Sequence, residues 1–182
     1  MQLSIFRGMR FVRLTDEHLI KPFNCGDEQK DLDLADFLVN NARLYAKERM
    51  GVTYLIEDDN ETVCYCTVLN DKISMSVDEK HIWNRINRKI NNGKRRKSYP
   101  AIKIGCLATN IHYTKMGFAT KLVDFVRQYL LSDRQFSGCR FITIDAYNDK
   151  NVLQFYENYG FRFFSEKDLT ANTRSMYFDI CG

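Results

Sequence analysis

The fold class of this chain is decided by Ala101–Ala108 (AIKIGCLA), Thr114–Ala119 (TKMGFA), Phe141–Ala146 (FITIDA) and Phe155–Phe161 (FYENYGF). Their order predicts a strand, a glycine turn that opens a helix, a second strand and a helix that carries a tyrosine. Backbone amides at a glycine turn before a helix can hold a pyrophosphate. A tyrosine on the next helix can then protonate a leaving group beside it.

Hydrophobic periodicity predicts the remaining elements. Runs rich in β-formers predict strands at Phe11–Leu14, Val52–Glu57, Thr62–Leu69, Phe161–Phe164 and Met176–Ile180. Apolar stripes predict helices over Leu34–Tyr45, Asp78–Ile90, Gly117–Leu131 and Asn151–Tyr159. Strands first, then alternating strand and helix, predict an α/β fold whose mixed sheet is covered by helices on both faces.

Composition narrows the class of protein. A chain of 182 residues with 45% hydrophobic and 27% charged residues is typical of one globular domain, here residues 1–182. The net charge of +4 suits a phosphate-bearing ligand without requiring one. No run approaches the roughly 20 apolar residues of a membrane span, and Met1–Leu14 lacks the pattern of a secretion signal. We therefore expect a cytoplasmic protein, with Met1 and Met9 as alternative starts.

Four of the six cysteines lie inside apolar, strand-like runs: Cys64, Cys66, Cys106 and Cys139. This placement is typical of buried, reduced thiols rather than of disulfides. Cys64 and Cys66 have no second Cys or His pair at metal-site spacing, so no metal site is predicted. A nucleophilic cysteine beside His112 is disfavoured by the same burial. A Rossmann enzyme is disfavoured because Gly-x-Gly-x-x-Gly is absent.

Two of the motifs resemble signatures of the GNAT superfamily of acetyl-CoA-dependent N-acetyltransferases, and the resemblance spans essentially the whole chain. The family's turn reads Gln/Arg-x-x-Gly-x-Gly/Ala. Gly117 and Ala119 match it, whereas Thr114 replaces its first residue. The second signature, a tyrosine four residues before Gly-Phe, matches at Tyr156 and Gly160–Phe161. The resemblance implies a GNAT-like, mostly antiparallel central sheet and acetyl-CoA as cosubstrate.

The resemblance also implies which residues bind acetyl-CoA. The pantetheine arm would pair with the edge of the strand Gly105–Thr109, at Leu107, Ala108 and Thr109. The pyrophosphate would lie on the glycine turn and the amides after it, at Thr114, Lys115, Met116, Gly117, Phe118, Ala119 and Thr120. Positive charge would come from Lys115 or Lys121. Asn148 and Asn151 match a position near the cofactor, although Asn148 is equally suited to cap a helix.

Tyr156 is the predicted catalytic acid. Direct transfer of an acetyl group needs a neutral amine to attack the thioester and an acid to protonate the departing thiolate. The pKa of tyrosine is near 10 and that of a simple thiol is about 8.5, so a phenol can donate to a sulfur that becomes anionic. The alternative is a packing role, because Tyr156 shares an apolar stripe with Val152 and Phe155.

A general base is harder to identify, because the strand Ala101–Ala108 contains no carboxylate. The remaining candidates are His112, Asp71, Asp145 and Glu57. A lysine amine, with a pKa near 10.4, must be deprotonated before it attacks, whereas an α-amine at about 7.7–8.0 is already partly neutral. The missing base therefore favours an acceptor with a low-pKa amine, such as a peptide N-terminus or an aminoacyl ester.

A dense basic segment falls within a short stretch of the chain: Arg85, Arg88, Lys89, Lys94, Arg95, Arg96 and Lys97. Such density can bind a phosphate backbone, or it can be a solvated face balanced by Asp78 and Glu79. The turn Phe23–Asp27, followed by a helix containing Asp36–Leu38, resembles the GNAT toxin branch. That resemblance implies aminoacyl-tRNA as the acceptor and an antitoxin as partner, and the basic segment would then bind the tRNA backbone.

Three functions therefore stay open. The principal prediction is an N-acetyltransferase that acts on a small-molecule or peptide amine. The second is toxin-like acetylation of the α-amine of aminoacyl-tRNA. The third is a catalytically silent acyl-CoA-binding module, which the missing base and Thr114 make conceivable. A homodimer is compatible with all three, and the acyl chain length stays open.

Overall fold

The structure of the protein, a computed structural model, describes residues 8–74, 80–133 and 137–182. The predicted start Met1 and the predicted helix start at Asp78 and Glu79 lie outside these residues. The strands are β1 (Arg10–Arg13), β2 (Gly51–Glu57), β3 (Thr62–Ser74), β4 (Ser98–Thr109), β5 (Phe141–Tyr147), β6 (Arg162–Phe163) and β7 (Thr173–Asp179). The helices are α1 (Gln29–Asp36), α2 (Ala42–Lys47), α3 (Lys80–Arg88), α4 (Phe118–Leu131) and α5 (Lys150–Tyr159).

The seven strands form one sheet in the order β1-β2-β3-β4-β5-β7-β6. Antiparallel pairs join β1 to β2, β2 to β3, β5 to β7 and β6 to β7, within a sheet that is mixed but mostly antiparallel. A π-helical turn, Phe37–Asn41, makes α1 and α2 one continuous helix, so four helices accompany the sheet. The predicted fold class is therefore confirmed.

The described chain divides into two compact units. Unit 1 contains the residues up to Leu69 together with Ile104–Tyr129, and unit 2 contains Asn70–Lys103 together with Leu130–Gly182. That both belong to a single acyltransferase domain stays a prediction.

In unit 1, helices cover both faces of the strands. Phe11 of β1 stacks on Tyr54 of β2 at 5.6 Å between ring centroids, and Phe125 of α4 contacts both rings at 4.7 and 4.8 Å. Their chain neighbours Val12 and Leu55 instead belong to the apolar cluster that contains Leu38 and Ala42 of the first helix. Because successive side chains of a strand point to opposite faces, α4 and α1-α2 lie on opposite sides.

Unit 2 repeats this arrangement with other residues. Trp83 and Ile86 of α3 pack with Phe141 of β5 and Tyr177 of β7 in one apolar cluster. The next residue of β7, Phe178, contacts Tyr159 of α5 at 5.6 Å between ring centroids. The alternation of Tyr177 and Phe178 therefore places α3 and α5 on opposite faces of β7.

The first helix departs from the regular period that its sequence predicts. Leu38 and Ala42 are fully buried, as the predicted face requires. The amide of Ala42, however, donates to the carbonyl of Phe37, five residues back, which marks a π-helical turn. Tyr45 packs edge-on against Phe37 at 5.1 Å between ring centroids. The predicted helix is confirmed, and the extra residue per turn shifts the register of its second half.

Candidate active site

The backbone of the glycine turn in unit 1 enters the left-handed region twice before α4 begins. Lys115 and Gly117 both have positive φ, +62° and +83°, and Gly117 immediately precedes α4. The carbonyl of Gly117 accepts from the amide of Lys121 at 3.1 Å, which is the i to i−4 hydrogen bond that opens α4. The amides of the first helical turn come before this bond in the chain. A Cβ on Gly117 would meet no described atom within 4 Å. Open space before a helix N-terminus suits a phosphate.

Thr114, which replaces the family's Gln or Arg, stabilises its own turn. Its hydroxyl donates to the carbonyl of Ile111 at 3.1 Å. Thr114, Lys115, Met116 and Gly117 are all exposed, and 54% of Met116 faces solvent. In contrast, Phe118 is buried and anchors the start of α4. The backbone of the turn is therefore presented to solvent while the helix behind it is held by the core.

The end of β4 has a core side and an accessible side. Ala108 is buried in the cluster of Leu38 and Tyr65. Leu107 and Thr109 alternate with it and are half-buried. The hydroxyl of Thr109 lies 3.2 Å from the Cys64 thiol, a hydrogen bond in which either can donate. Backbone pairing with a pantetheine arm at these residues stays a prediction.

Two residues that sequence reasoning missed hold the loop between β4 and the glycine turn. The buried side chain of Asn110 donates to the carbonyl of Thr62 at 3.2 Å and accepts from the amide of His112 at 3.2 Å. The phenol of Tyr113 donates to a carboxylate oxygen of Asp58. An Asn directly after a strand is a recognisable cap signal, whereas nothing in the local sequence connects Tyr113 with Asp58.

In unit 2, α5 is capped by Asp149 rather than by Asn148. Asp149 Oδ1 accepts from the amides of Asn151 and Val152 at 2.9 and 3.1 Å. The capping role considered for Asn148 is therefore wrong. The Asn148 side chain instead donates to the carbonyls of Leu169 and Ala171 at 3.0 and 2.9 Å.

Tyr156 occupies a defined position on α5. Only 7% of it is exposed, and its ring lies edge-on to Phe155 at 5.0 Å and to Phe161 at 5.3 Å between centroids. The helix ends at Gly160, whose φ of +107° lets the chain reverse after Tyr159. Asn151 lies exposed in the first turn of the same helix. Aromatic packing thus fixes the tyrosine ring that the family signature singles out.

Two of the four candidate bases are already paired in unit 1. Glu57 is fully buried, and its Oε1 lies 2.9 Å from His18 Nε2. His112 Nδ1 lies 3.1 Å from Glu61 Oε2 on the surface. Glu57 is therefore enclosed, and His112 has a carboxylate neighbour.

The other two candidate bases lie in unit 2. Asp145 forms an ion pair with Lys103 and accepts from the Ser175 hydroxyl at 2.9 Å. Asp71 accepts from the Thr143 hydroxyl at 2.5 Å. Among the described residues, no cation lies within ion-pair distance of Asp71, whereas Asp145 is paired with Lys103. Neither arrangement identifies a base.

The cysteines are free thiols, and the surroundings of five of them oppose ionisation. Burial raises the pKa of Cys64 to about 12 and those of Cys25 and Cys106 to about 11, and it also raises the pKa values of Cys66 and Cys139. A thiolate nucleophile is therefore disfavoured at these positions. Within the described ranges, no three His, Cys, Asp or Glu side chains are grouped as a metal site would require.

The basic segment of unit 2 contains two kinds of side chain. Arg85 donates to the Tyr177 phenol at 3.2 Å, Lys89 to the carbonyl of Gly182, and Arg95 to the carbonyl of Asn87 at 3.0 Å. The other four are exposed and have no side-chain partner in the part of the chain that the structure describes: Arg88, Lys94, Arg96 and Lys97. Only these four are free to bind a partner without breaking an internal bond.

Comparison with solved structures reveals full-length likenesses. The toxin AtaT complexed with acetyl-methionyl-tRNAfMet superposes with a TM-score of 0.70 at 18% identity, over 94% of both chains. A tyrosine-to-phenylalanine mutant of AtaT, bound to the C-terminus of the antitoxin AtaR and acetyl-CoA, gives 0.70 at 16% identity over 95% of this chain and 94% of that one. A similar mutant of KacT gives 0.74 at 16% identity over 96% of both chains.

This chain has the GNAT fold. The resemblance stated from the sequence is thereby confirmed at the level of the fold. No family model matches the sequence, and no curated protein matches it. None of the helices in the described residues is long and apolar enough to cross a membrane.

Proposed function

We propose that this protein transfers the acetyl group of acetyl-CoA to the α-amine of an aminoacyl-tRNA. The observation that carries the proposal is the end-to-end likeness to AtaT, which has been solved with acetyl-CoA and with acetyl-methionyl-tRNAfMet. Features of this chain's own structure support it at three places: the glycine turn, Tyr156 and the four free basic side chains.

The glycine turn would hold the pyrophosphate of acetyl-CoA. Positive φ at Lys115 and Gly117 and the open space before Gly117 fit a phosphate that approaches the backbone closely. Of the predicted amides, those of Gly117–Thr120 would donate to it, because the amide of Met116 already donates to the Tyr113 carbonyl at 3.4 Å. The exposed Lys115 would add positive charge. The end of β4, at Leu107–Thr109, would bind the pantetheine arm, and Asn148 and Asn151 would lie near the cofactor.

Tyr156 would supply the proton that completes the transfer. The neutral amine attacks the thioester carbonyl carbon, a C–N bond forms, and the C–S bond breaks. The phenol of Tyr156 donates its proton to the departing sulfur, and the proton that the amine loses restores the phenol through solvent. General acid catalysis of this kind contributes about 10²–10⁴-fold. The aromatic packing of Tyr156 would keep the phenol oriented.

The acceptor would be recognised through its charge and its amine. Four exposed cations without internal partners can neutralise phosphates of a tRNA backbone. The α-amine of an aminoacyl ester needs little help in losing its proton, which agrees with four candidate bases that are buried, paired or hydrogen-bonded. A small-molecule or peptide α-amine would lose its proton as easily, but it would leave the four exposed cations without a binding role.

Partners follow from the same likeness. AtaT has been solved with the C-terminus of its antitoxin AtaR, and KacTA with DNA. We propose a corresponding antitoxin for this chain, and a homodimer stays an open proposal. Co-purification of the chain with the product of a neighbouring reading frame would support the first, and a monomeric mass in light scattering would count against the second.

The deciding experiment follows label from acetyl-CoA into three acceptor pools: charged tRNA, deacylated tRNA, and a panel of amines and peptides. Label in charged tRNA alone, sensitive to mild alkaline hydrolysis of the aminoacyl ester, is the expected result. Label in small amines or peptides would replace the acceptor and make the basic surface a solvated face. Binding of acetyl-CoA without transfer to any pool would favour a silent acyl-CoA-binding module.

A further inference from the structure

We infer that Tyr113 and Asp58 are positioning residues for acetyl-CoA, because their hydrogen bond fixes the glycine turn to the hairpin turn 58–61 between β2 and β3. The inference rests on the proposed binding of acetyl-CoA at the glycine turn. It concerns how the turn is held in place, which neither the family signature nor the fold specifies.

Asp58 is the fixed end of this contact. Its Oδ1 accepts from the amides of Asn60 and Glu61, each at 2.7 Å, and its Oδ2 accepts from the Tyr113 phenol. The side chain of Lys21 donates to the carbonyl of the same residue. Both carboxylate oxygens and the backbone of Asp58 are therefore engaged, which leaves its side chain one orientation.

Tyr113 transmits that orientation towards the turn. Its ring lies edge-on to Phe118, the first residue of α4, with 6.0 Å between centroids. Its carbonyl accepts from the amide of Met116 at 3.4 Å. Tyr113 thus contacts Met116 within the glycine turn and Phe118 directly after it.

The loop before Tyr113 is anchored by other bonds. The amide of Asn110 donates to the carbonyl of Val63 at 2.9 Å, and the amide of Ile111 donates to the carbonyl of Asn24 at 2.8 Å. These bonds would survive loss of the Tyr113 phenol, so the fold of unit 1 does not depend on it. Loss of the phenol would instead change the position of the glycine turn. Such a shift matters because the donors of an anion site must lie within about 0.5 Å of their binding positions.

The ionisation of both groups keeps the contact present at ordinary pH. The hydrogen bond from Tyr113 lowers the pKa of Asp58, so its contribution is lost only as the pH falls through that lowered value. The same bond raises the pKa of Tyr113 to about 12, so the donor is lost only as the pH rises through that value. Neither group titrates between pH 5 and pH 9.

The test measures acetyl-CoA affinity by calorimetry and acetyl transfer by steady-state kinetics in Tyr113→Phe, Asp58→Ala and the double variant. Removal of one such hydrogen bond should raise the Kd and KM for acetyl-CoA about fivefold. At saturating acetyl-CoA, kcat should stay within about twofold, and the double variant should bind no more weakly than Asp58→Ala alone.

Tyr99→Phe is the matched control in unit 2. It deletes a phenol that donates to Asn87 Oδ1 at 2.7 Å, so it should lower thermal stability without changing acetyl-CoA affinity. An unchanged Kd in Tyr113→Phe, a proportional loss of kcat, or additive effects in the double variant would overturn the inference. If the wild-type protein binds acetyl-CoA but transfers no acetyl group, only the proposed function is overturned. If it does not bind acetyl-CoA, the proposed function and the positioning role of Tyr113 and Asp58 are both overturned.

Discussion

The glycine turn of unit 1 would act through its backbone, whereas the tyrosine helix of unit 2 would act through one side chain. The turn presents backbone amides, and its shape depends on two positive φ angles and on hydrogen bonds from neighbouring loops. The tyrosine helix presents one phenol, held by the rings of Phe155 and Phe161. The turn is exposed to solvent, whereas the Tyr156 ring is buried between aromatic side chains.

This difference predicts which departures from the GNAT signatures would be tolerable. Thr114 takes the place of a Gln or Arg in the turn, and the amides that would bind a phosphate are unchanged by it. No neighbouring side chain on α5 has a geometry that could replace the phenol of Tyr156, because Phe155 carries no hydroxyl and Tyr159 packs on Phe178. We therefore expect substitutions in the turn to affect binding and substitutions at Tyr156 to affect chemistry.

The largest effect is expected for Tyr156→Phe. The ring and its packing survive, but the proton donor is lost, so kcat for acetyl transfer should fall about 10²–10⁴-fold. Calorimetry should find acetyl-CoA affinity within about twofold of the wild type. Tyr159→Phe, on the same helix, is the control and should retain most of kcat. A parallel loss of affinity in Tyr156→Phe would contradict the division between the two regions.

Replacement of the four free cations by alanine tests whether acceptor recognition is separate from both regions. The variant Arg88→Ala, Lys94→Ala, Arg96→Ala, Lys97→Ala should bind charged tRNA at least tenfold more weakly at low salt, with a salt slope smaller by about 3. Acetyl-CoA affinity should not change. The control is Arg85→Ala, whose cation is tied to Tyr177 and which should mainly lower thermal stability. Equal tRNA binding by the quadruple variant and the wild type would remove RNA from the proposal.

A smaller effect is expected for Gly117→Ala. The added Cβ meets no described atom within 4 Å, so the fold should survive, but a φ of +83° is strained for alanine. Strain of about 1–2 kcal/mol, together with a methyl group in the cradle, should weaken acetyl-CoA binding about tenfold or more. Gly138→Ala, also in open space but without a positive φ, should bind normally. A normal Kd for Gly117→Ala would place the pyrophosphate elsewhere.

The smallest effect is expected for Thr114→Gln, which restores the family residue. If the backbone holds the pyrophosphate, acetyl-CoA affinity should change by less than about threefold. The thermal midpoint should fall slightly, because the hydroxyl bond to the Ile111 carbonyl is lost. Thr114→Ala separates the two contributions, since it removes the same bond without adding an amide. A gain of tenfold or more in Thr114→Gln would show that the side chain matters as much as the backbone.

Sequence patterns predicted the elements well because each depends on neighbours along the chain. The β-forming residues of Val52–Glu57 and the apolar stripes of Gly117–Leu131 predict a strand and a helix without reference to the rest of the molecule. The boundaries moved by a few residues, as for β3, which continues to Ser74 instead of ending at Leu69. Helix ends depend on caps, and here two adjacent residues, Asn148 and Asp149, both suit a cap.

Sequence patterns could not predict how side chains pair across large separations. Tyr113 and Asp58 are 55 residues apart, and nothing near either one indicates the other. The seven basic residues looked alike in the sequence, but three of them have internal partners supplied by residues such as Tyr177 and Gly182. Neighbouring positive charges repel one another in the same way at every position of the segment. Which of these side chains stay free is therefore decided by the partners that folding brings to the others.

Local order along the chain was therefore enough to establish the fold class, the glycine turn and the tyrosine of the signature. Tertiary structure alone decided that Asn148 is bound to the carbonyls of Leu169 and Ala171, that Tyr113 is bound to Asp58, and which cations are free. The physical reason is range. Backbone propensity and hydrophobic period act over a few residues, whereas a hydrogen bond or an ion pair forms only after loops from distant parts of the chain have met.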